Sequence, residues 1–215
     1  KDILTRDYFV NEMKVKVIPA AIPEKLIDNA QKQNYFFYFG YMVRRKGLGF
    51  ALEGFKKFIE QSKNKNWKFI LAGGVIKGQE ESFEEIKKIV DENNLEENVE
   101  FKGFIEEEVQ EELYKNAYAV IIPAKVTMGS SGPLYHANSH GKCVIATREG
   151  HFIEDIDDLK TGILTENDKW SEAFEFVVNN PDKVKEIEKN VSTKAKLRSP
   201  EQTASVYLKL YKSIL

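Results

Sequence analysis

The stretch Tyr35-Phe36-Phe37-Tyr38-Phe39-Gly40-Tyr41-Met42-Val43-Arg44-Arg45-Lys46-Gly47 decides the fold. Five consecutive aromatic residues suit a strand covered on both faces, since a half-exposed strand would alternate apolar with polar. Core packing is therefore the reading of Phe36, Phe37, Tyr38 and Phe39, ahead of stacking on a ligand. Gly40 ends the strand, and three cations follow it at once. Apolar residues at Phe50, Leu52, Phe55, Phe58 and Ile59 then keep helical spacing over residues 50–61. Strand, glycine turn and helix make one βα unit.

That unit recurs along the chain. Further strands are expected over residues 67–72, 99–101, 119–122, 144–146 and 162–164. Helices are expected over residues 83–93, 106–116, 133–140, 170–178, 181–194 and 200–214, with Pro133 suited to a first helical turn. Near-continuous apolar strands alternating with amphipathic helices imply parallel pairing with both sheet faces covered. The fold expected is α/β, a doubly wound Rossmann-like parallel sheet. Residues 1–33 differ. Residues 2–10 read as a helical remnant and residues 15–18 as a strand, and Pro19 and Pro23 suit an interdomain linker. Residues 1–33 are thus expected to be remnant and linker, and residues 34–215 the domain proper.

Composition limits the function. The chain carries 32 basic and 34 acidic residues, a formal net charge of −2, so no global field favours nucleic acid or an anionic membrane. No apolar run approaches the roughly 20 residues of a membrane span. The single cysteine, Cys143, allows no internal disulfide and suits a reducing, cytoplasmic compartment. It reads as a small buried strand residue, without an activating partner for nucleophilic chemistry.

In an open parallel sheet, ligands sit beyond the carboxyl ends of the strands. After the aromatic strand, Gly40 permits close backbone approach, and Arg44, Arg45 and Lys46 can neutralise a diphosphate. After residues 119–122 comes a loop containing Met128-Gly129-Ser130-Ser131-Gly132, leading into a helix. Unpaired N–H groups and the positive end of a helix dipole make such a loop an anion cradle. Plain N-capping by Ser131 is the competing reading. The loop has neither the Lys-Ser/Thr ending of a P-loop nor a GxGxxG spacing. Two such loops on one sheet make a diphosphate-containing ligand the leading expectation. His136 and His140 stand four apart on a helix, a spacing that can hold zinc, but no third ligand accompanies them and no metal is expected.

These residues resemble the C-terminal domain of family 4 (group 1) retaining glycosyltransferases along most of the chain. Val17-Ile18-Pro19-Ala20-Ala21-Ile22-Pro23 is similar to the linker pattern V-I-P-N-G-I-D. Gly40, Lys46 and Gly47 keep the spacing of G-R-L-x-x-x-K-G. Phe69-Ile70-Leu71-Ala72-Gly73-Gly74 resembles the next strand and its glycine turn, and Val99-Glu100-Phe101-Lys102-Gly103-Phe104 resembles V-x-F-x-G-x. The run from His136 to Ala146 is similar to E-A-M-A-x-G-x-P-V-I-A. Two departures stand out. The family's E-x7-E pair aligns with Met128 and His136, and the Arg after its first glycine is Tyr41.

The resemblance implies the C-terminal half of a two-domain GT-B fold, which binds a nucleoside-diphosphate sugar and needs no other cofactor or metal. It implies that Lys46, helped by Arg44 or Arg45, clamps the diphosphate. Backbone at Ser130, Ser131 and Gly132 would hold the distal phosphate, and His136 the ribose or a phosphate. Met128 and Gly129 would shape the site, beside the glycine turns at Gly40 and Gly73. Gly103 and Phe104 would edge the base, and Glu154, after Gly150, is a minor donor-site candidate. The chain's own N-terminal domain is the expected partner. It would bind an acceptor glycan, lipid or small molecule and provide any peripheral membrane attachment. The alternative is a non-catalytic glycosyltransferase-like module for assembly or regulation.

Overall fold

A computed structural model describes residues 2–23, 25, 31–61, 65–126 and 131–214. In chain order the elements are α1 (Asp2–Arg6), β1 (Tyr35–Phe39), α2 (Leu48–Gln61), β2 (Lys68–Ala72), α3 (Glu80–Glu92) and β3 (Val99–Gly103). There follow α4 (Glu107–Asn116), β4 (Ala119–Ile122), α5 (Gly132–Ser139), β5 (Val144–Thr147), α6 (Phe152–Asp155) and β6 (Ile163–Thr165). Three helices, α7 (Trp170–Asn179), α8 (Pro181–Leu197) and α9 (Pro200–Lys212), complete the described chain. The six strands form one sheet in the order β3-β2-β1-β4-β5-β6. Every pairing is parallel. This is the expected doubly wound α/β fold, and its strand order reverses between β1 and β4.

The aromatic run of β1 sits at the centre. Phe36 and Tyr38 point into one core, with Phe55 and Phe58 of α2, Phe69 of β2 and Phe174 of α7. Tyr35 and Phe37 point into the other, with Tyr114 of α4, Leu134 and Ala137 of α5 and Phe152 of α6. Phe36 and Phe37 are both 0% exposed, which explains why the strand has no polar alternate position. Phe36 stacks on Trp67 at 5.0 Å and meets Phe58 edge-on at 5.7 Å. Each such side chain contributes about 1.5–3 kcal/mol through removal from water.

Cys143, expected to be a buried strand residue, lies directly before β5 and is fully buried. Burial pushes its thiol up to about 12, so it carries little thiolate near neutral pH.

Two expectations for the first residues are corrected. The first helix ends at Arg6, not near residue 10, and Phe9 takes a positive φ of 53° that a helix cannot continue through. Residues 15–18 form no strand. Their apolar character serves no sheet edge. The Ile22 N–H instead donates to the Arg198 carbonyl just past α8, so the segment runs over the helical layer.

Candidate functional site

The carboxyl ends of β1, β2 and β3 are laced together by backbone. The Gly40 N–H donates to the Ala72 carbonyl at 2.9 Å, and the Gly73 N–H to the Gly103 carbonyl at 2.7 Å. Gly73 lies against Gly40 so closely that a Cβ there would sit 2.1 Å from the Gly40 oxygen. The glycine turns named from sequence thus bring three strand ends to one edge. At its β3 side, Phe104 is 82% exposed, an aromatic face free to stack on a planar group.

On the other side of β1, the chain turns through one 3-10 turn, Arg44–Lys46, capped by Gly47. Gly47 has φ +68°, and a Cβ on it would lie 1.8 Å from the Pro123 carbonyl oxygen. The Lys125 N–H donates to the Arg45 carbonyl at 3.0 Å. The cation turn after β1 and the loop leaving β4 are therefore one packed unit, located where the strand order reverses.

The three cations of the turn separate. Arg44 is exposed and forks onto Glu85 of α3, its Nε 2.6 Å from Oε2. It lines a cleft of 270 Å³ between α2 and α3 with Glu53 and Ile86. Arg45 is exposed and contributes its backbone carbonyl to the loop contact. Lys46 is half-buried and has no ion pair among the described residues. Burial first, and then the charge of Arg45, hold its ammonium below the usual lysine range. A cation that is partly stripped of water and lacks a carboxylate is primed to receive an anion.

Of the β4 loop, Met128, Gly129 and Ser130 lie outside the described residues. Ser131 is the N-cap of α5, its hydroxyl accepting from the Leu134 N–H at 3.3 Å. The capping reading thus holds for its side chain. The N–H groups of Ser131 and Gly132 carry no hydrogen bond to another described residue, and they open at the amino end of α5.

His136 stands one turn into α5 beneath this opening. Its ring lies 6.4 Å from that of Phe39 at the end of β1 and stacks on Tyr114 at 5.7 Å. Burial first, then Lys25, lower its pKa, against the pull of Glu107 and Glu111. His140 is 4% exposed, its Nδ1 is 2.8 Å from the His136 carbonyl, and its ring stacks on Tyr114 at 5.3 Å. It is the buried C-cap residue of α5. Among the described residues, no group of three metal-ligating side chains occurs.

The loop after β5 completes the edge. His151 precedes α6, where Glu154 is exposed. Burial is the largest influence on His151, and the charge of Lys46 also depresses its pKa. Sequence reasoning did not single out His151. The strand-end rule that picked the loops after β1 and β4 applies equally to the loop after β5, and would have found it.

All three histidines have pKa values lowered from 6.5, each chiefly by burial. The unfolded chain then binds more protons than the folded one once the pH falls through 6.5. Their contribution to stability is complete above that pH and declines below it. Thermal melts should therefore show Tm falling between about pH 7.5 and about pH 5.5. That window lies above the titration of Glu85 and Glu111, whose values are lowered from 4.5 by Arg44 and Lys25. His140→Gln should flatten the dependence, and an unchanged slope in that variant would remove His140 from the account.

A half-buried cation without an ion pair among the described residues and a helix amino end follow neighbouring strands at the reversal point of a doubly wound α/β domain. The chain belongs to the group 1 glycosyltransferases: the model described as "Glycosyl transferases group 1" matches residues 24–194. A comparison with curated proteins gives no match. Solved structures share the fold at low identity. A glycosyltransferase from Rickettsia africae has TM-score 0.82 and 17% identity, over 99% of this chain and 60% of that one. Sucrose-phosphate synthase from Thermosynechococcus elongatus has TM-score 0.77 and 20% identity, over 99% and 56%. HepE of Anabaena, in complex with UDP and glucose, has TM-score 0.73 and 17% identity, over 85% and 48%. The chain thus spans about half to three-fifths of the length of these structures. Among the described residues, no helix is long and apolar enough to cross a membrane.

Proposed function

We propose that this chain is the donor-binding C-terminal half of a two-domain, GT-B type glycosyltransferase of family 4. It takes a nucleoside-diphosphate sugar and transfers the sugar with retention of configuration, without a metal, to an acceptor held by an N-terminal domain. The observation that carries this is the packing of the Lys46 turn against the β4 loop, through Gly47 on Pro123 and Lys125 on Arg45. A diphosphate between them meets a cation on one side and helix N–H groups on the other. HepE, whose complexes carry UDP, UDP and glucose, or UDP-glucose, supports the ligand class.

In this reading the leaving group is the nucleoside diphosphate. Negative charge grows on it as the sugar–phosphate bond breaks, and fixed donors that meet this charge lower the barrier. Lys46 supplies the charge and the N–H groups of Ser131 and Gly132 supply oriented dipoles. Ser130, Gly129 and Met128 belong to the same loop. Arg45 adds positive field, while Arg44 is engaged by Glu85. His136 replaces a carboxylate and reaches the ribose or a phosphate with one donor and one acceptor. Gly40, Gly73, Gly103 and Phe104 form the floor and rim on the base side. Residues 1–33 serve as the connection to the other domain, and residues 34–215 as the donor domain.

The missing carboxylates at Met128 and His136 favour one second reading, a non-catalytic module that has kept the fold. Calorimetric titration with UDP-, GDP- and ADP-sugars tests the first. Binding of one of them at millimolar Kd or tighter is expected, and no binding to any would remove the donor-site assignment. Sugar transfer by the full-length protein, lost on Lys46→Ala, would exclude the non-catalytic reading.

A further inference from the structure

Tyr41 stands where the family pattern has an arginine, directly after Gly40. It is 54% exposed, yet its backbone is fixed from below. The hydroxyl of Tyr38, a buried residue of β1, donates to the Tyr41 carbonyl at 2.7 Å. The N–H of the next residue, Met42, donates to the Gly74 carbonyl at 3.2 Å, and Met42 itself is buried in the core. A large ring left in water on so fixed a backbone is already positioned for a partner, which lowers the entropy lost on binding.

The ring leans to one side. A Cβ added to Gly74 would meet ring carbons of Tyr41 at 3.6 Å and 3.8 Å, so the ring lies against the turn after β2, on the side of β1 away from β4. Strand register sets what else stands there. Phe39, Ala72 and Gly103 are level across β1, β2 and β3. Phe104 lies one residue beyond that line and Tyr41 two. Adjacent strands are about 4.8 Å apart, so roughly 10 Å separates the ends of β1 and β3. Gly73 and Gly74 occupy the interval without side chains. A Cβ added to Gly103 would meet nothing within 4 Å, so the space at the end of β3 is open among the described residues. The outcome is an open strip floored by glycine, with an exposed aromatic residue at each margin, Tyr41 at 54% and Phe104 at 82%.

Charge and aromatic surface are thereby divided across β1. The turn carrying Arg45 and Lys46 packs on the loop leaving β4, while Tyr41 turns towards β2 and β3. A nucleotide has the same division, an anionic diphosphate at one end and a planar base at the other. A floor without side chains lets a flat group approach closely, and aromatic faces attract a π system without selecting charge.

We propose that Tyr41 is a specificity-determining residue for the nucleobase, stacking together with Phe104 on the base of the nucleotide whose diphosphate is held at Lys46. The proposal rests on the donor-site reading above and deepens it. The position that carries charge in the family pattern carries a base-reading ring in this chain, and the diphosphate charge is left to Lys46 and Arg45.

The test compares UDP, GDP and ADP with ribose 5-diphosphate, which lacks only the base. The unsubstituted chain should bind its preferred nucleotide about tenfold or more tightly than ribose 5-diphosphate in calorimetry. Tyr41→Ala should weaken that nucleotide about tenfold and leave ribose 5-diphosphate within about twofold. Phe104→Ala should do the same, and Tyr41→Phe, which keeps the ring, should stay within about twofold for both ligands. Carbon-13 NMR of the unsubstituted chain gives a readout independent of how the variants fold. The Tyr41 ring resonances, assigned by their loss in Tyr41→Phe, should move with the nucleotide and keep their free positions with ribose 5-diphosphate. Equal binding of nucleotide and ribose 5-diphosphate by the unsubstituted chain, equal losses of both in Tyr41→Ala, equal losses in Tyr41→Phe and Tyr41→Ala, or unmoved Tyr41 resonances would each overturn the role of Tyr41 and leave the donor site standing. An unsubstituted chain that binds neither class of ligand would overturn both readings.

Discussion

Lys46→Ala should weaken nucleoside-diphosphate-sugar binding by about 1.5–3 kcal/mol, roughly 10- to 150-fold in Kd. The magnitude follows from the cation's surroundings. Lys46 is half-buried, its neighbour Arg45 is of like charge, and no carboxylate among the described residues neutralises it. An exposed lysine would exchange ligand for water at little net gain. Here much of the water is already gone, so the diphosphate restores an interaction that folding removed. Arg44→Ala is the matching control. Its guanidinium is exposed and paired with Glu85, so its removal should change affinity by less than about threefold. Lys46→Arg restores charge but not shape, and should recover only part of the loss. Calorimetry on the three variants measures all of this. Equal losses at Arg44 and Lys46 would mean that the turn acts through net charge alone.

The fold was largely legible in the sequence, for identifiable reasons. β1 is covered on both faces, so its aromatic run needs no polar alternation and cannot be mistaken for an edge strand. β4 begins and ends where its apolar run does, between Tyr118 and Pro123. Residues 15–18 have the same apolar character and no strand partner, because pairing depends on what lies alongside, which composition does not encode. α6 has four residues, too few to show a period.

The site was legible only to the level of loops. That a ligand loop follows β1 and another follows β4 comes from the strand-end rule. Which of three adjacent cations is already paired depends on Glu85, on a helix whose position is set by packing. The packing of the His151 ring on Phe152 is a tertiary contact that no local pattern announces. A sequence gives the residue types available at an edge. Tertiary contacts then decide which are already satisfied and which are left for a ligand.

Gly47→Ala tests the contact on which the site's geometry depends, and its expected effect is the largest. Two costs combine. A φ of +68° is costly for alanine, about 1–3 kcal/mol. In addition, the new Cβ would stand 1.8 Å from the Pro123 carbonyl oxygen, a backbone atom that cannot swing aside as a side-chain tip would. The β1 and β4 loops must part, losing the Lys125 to Arg45 hydrogen bond. With overpacking worth about 1–3 kcal/mol, the total loss of stability should be roughly 3–5 kcal/mol. Gly78→Ala isolates the two terms. Gly78 has φ +83° with nothing within 4 Å of an added Cβ, so only the backbone strain applies there. Denaturant melts should therefore rank Gly47→Ala well below Gly78→Ala, which should lie below the unsubstituted chain. In the donor-site reading proposed above, a Gly47→Ala chain that still folds should also lose nucleotide-sugar binding, because the turn carrying Lys46 no longer packs on the loop leaving β4. Gly78→Ala should bind normally. Equal destabilisation by the two substitutions, with binding retained in both, would show that the loops after β1 and β4 work independently and that no single diphosphate is held between them.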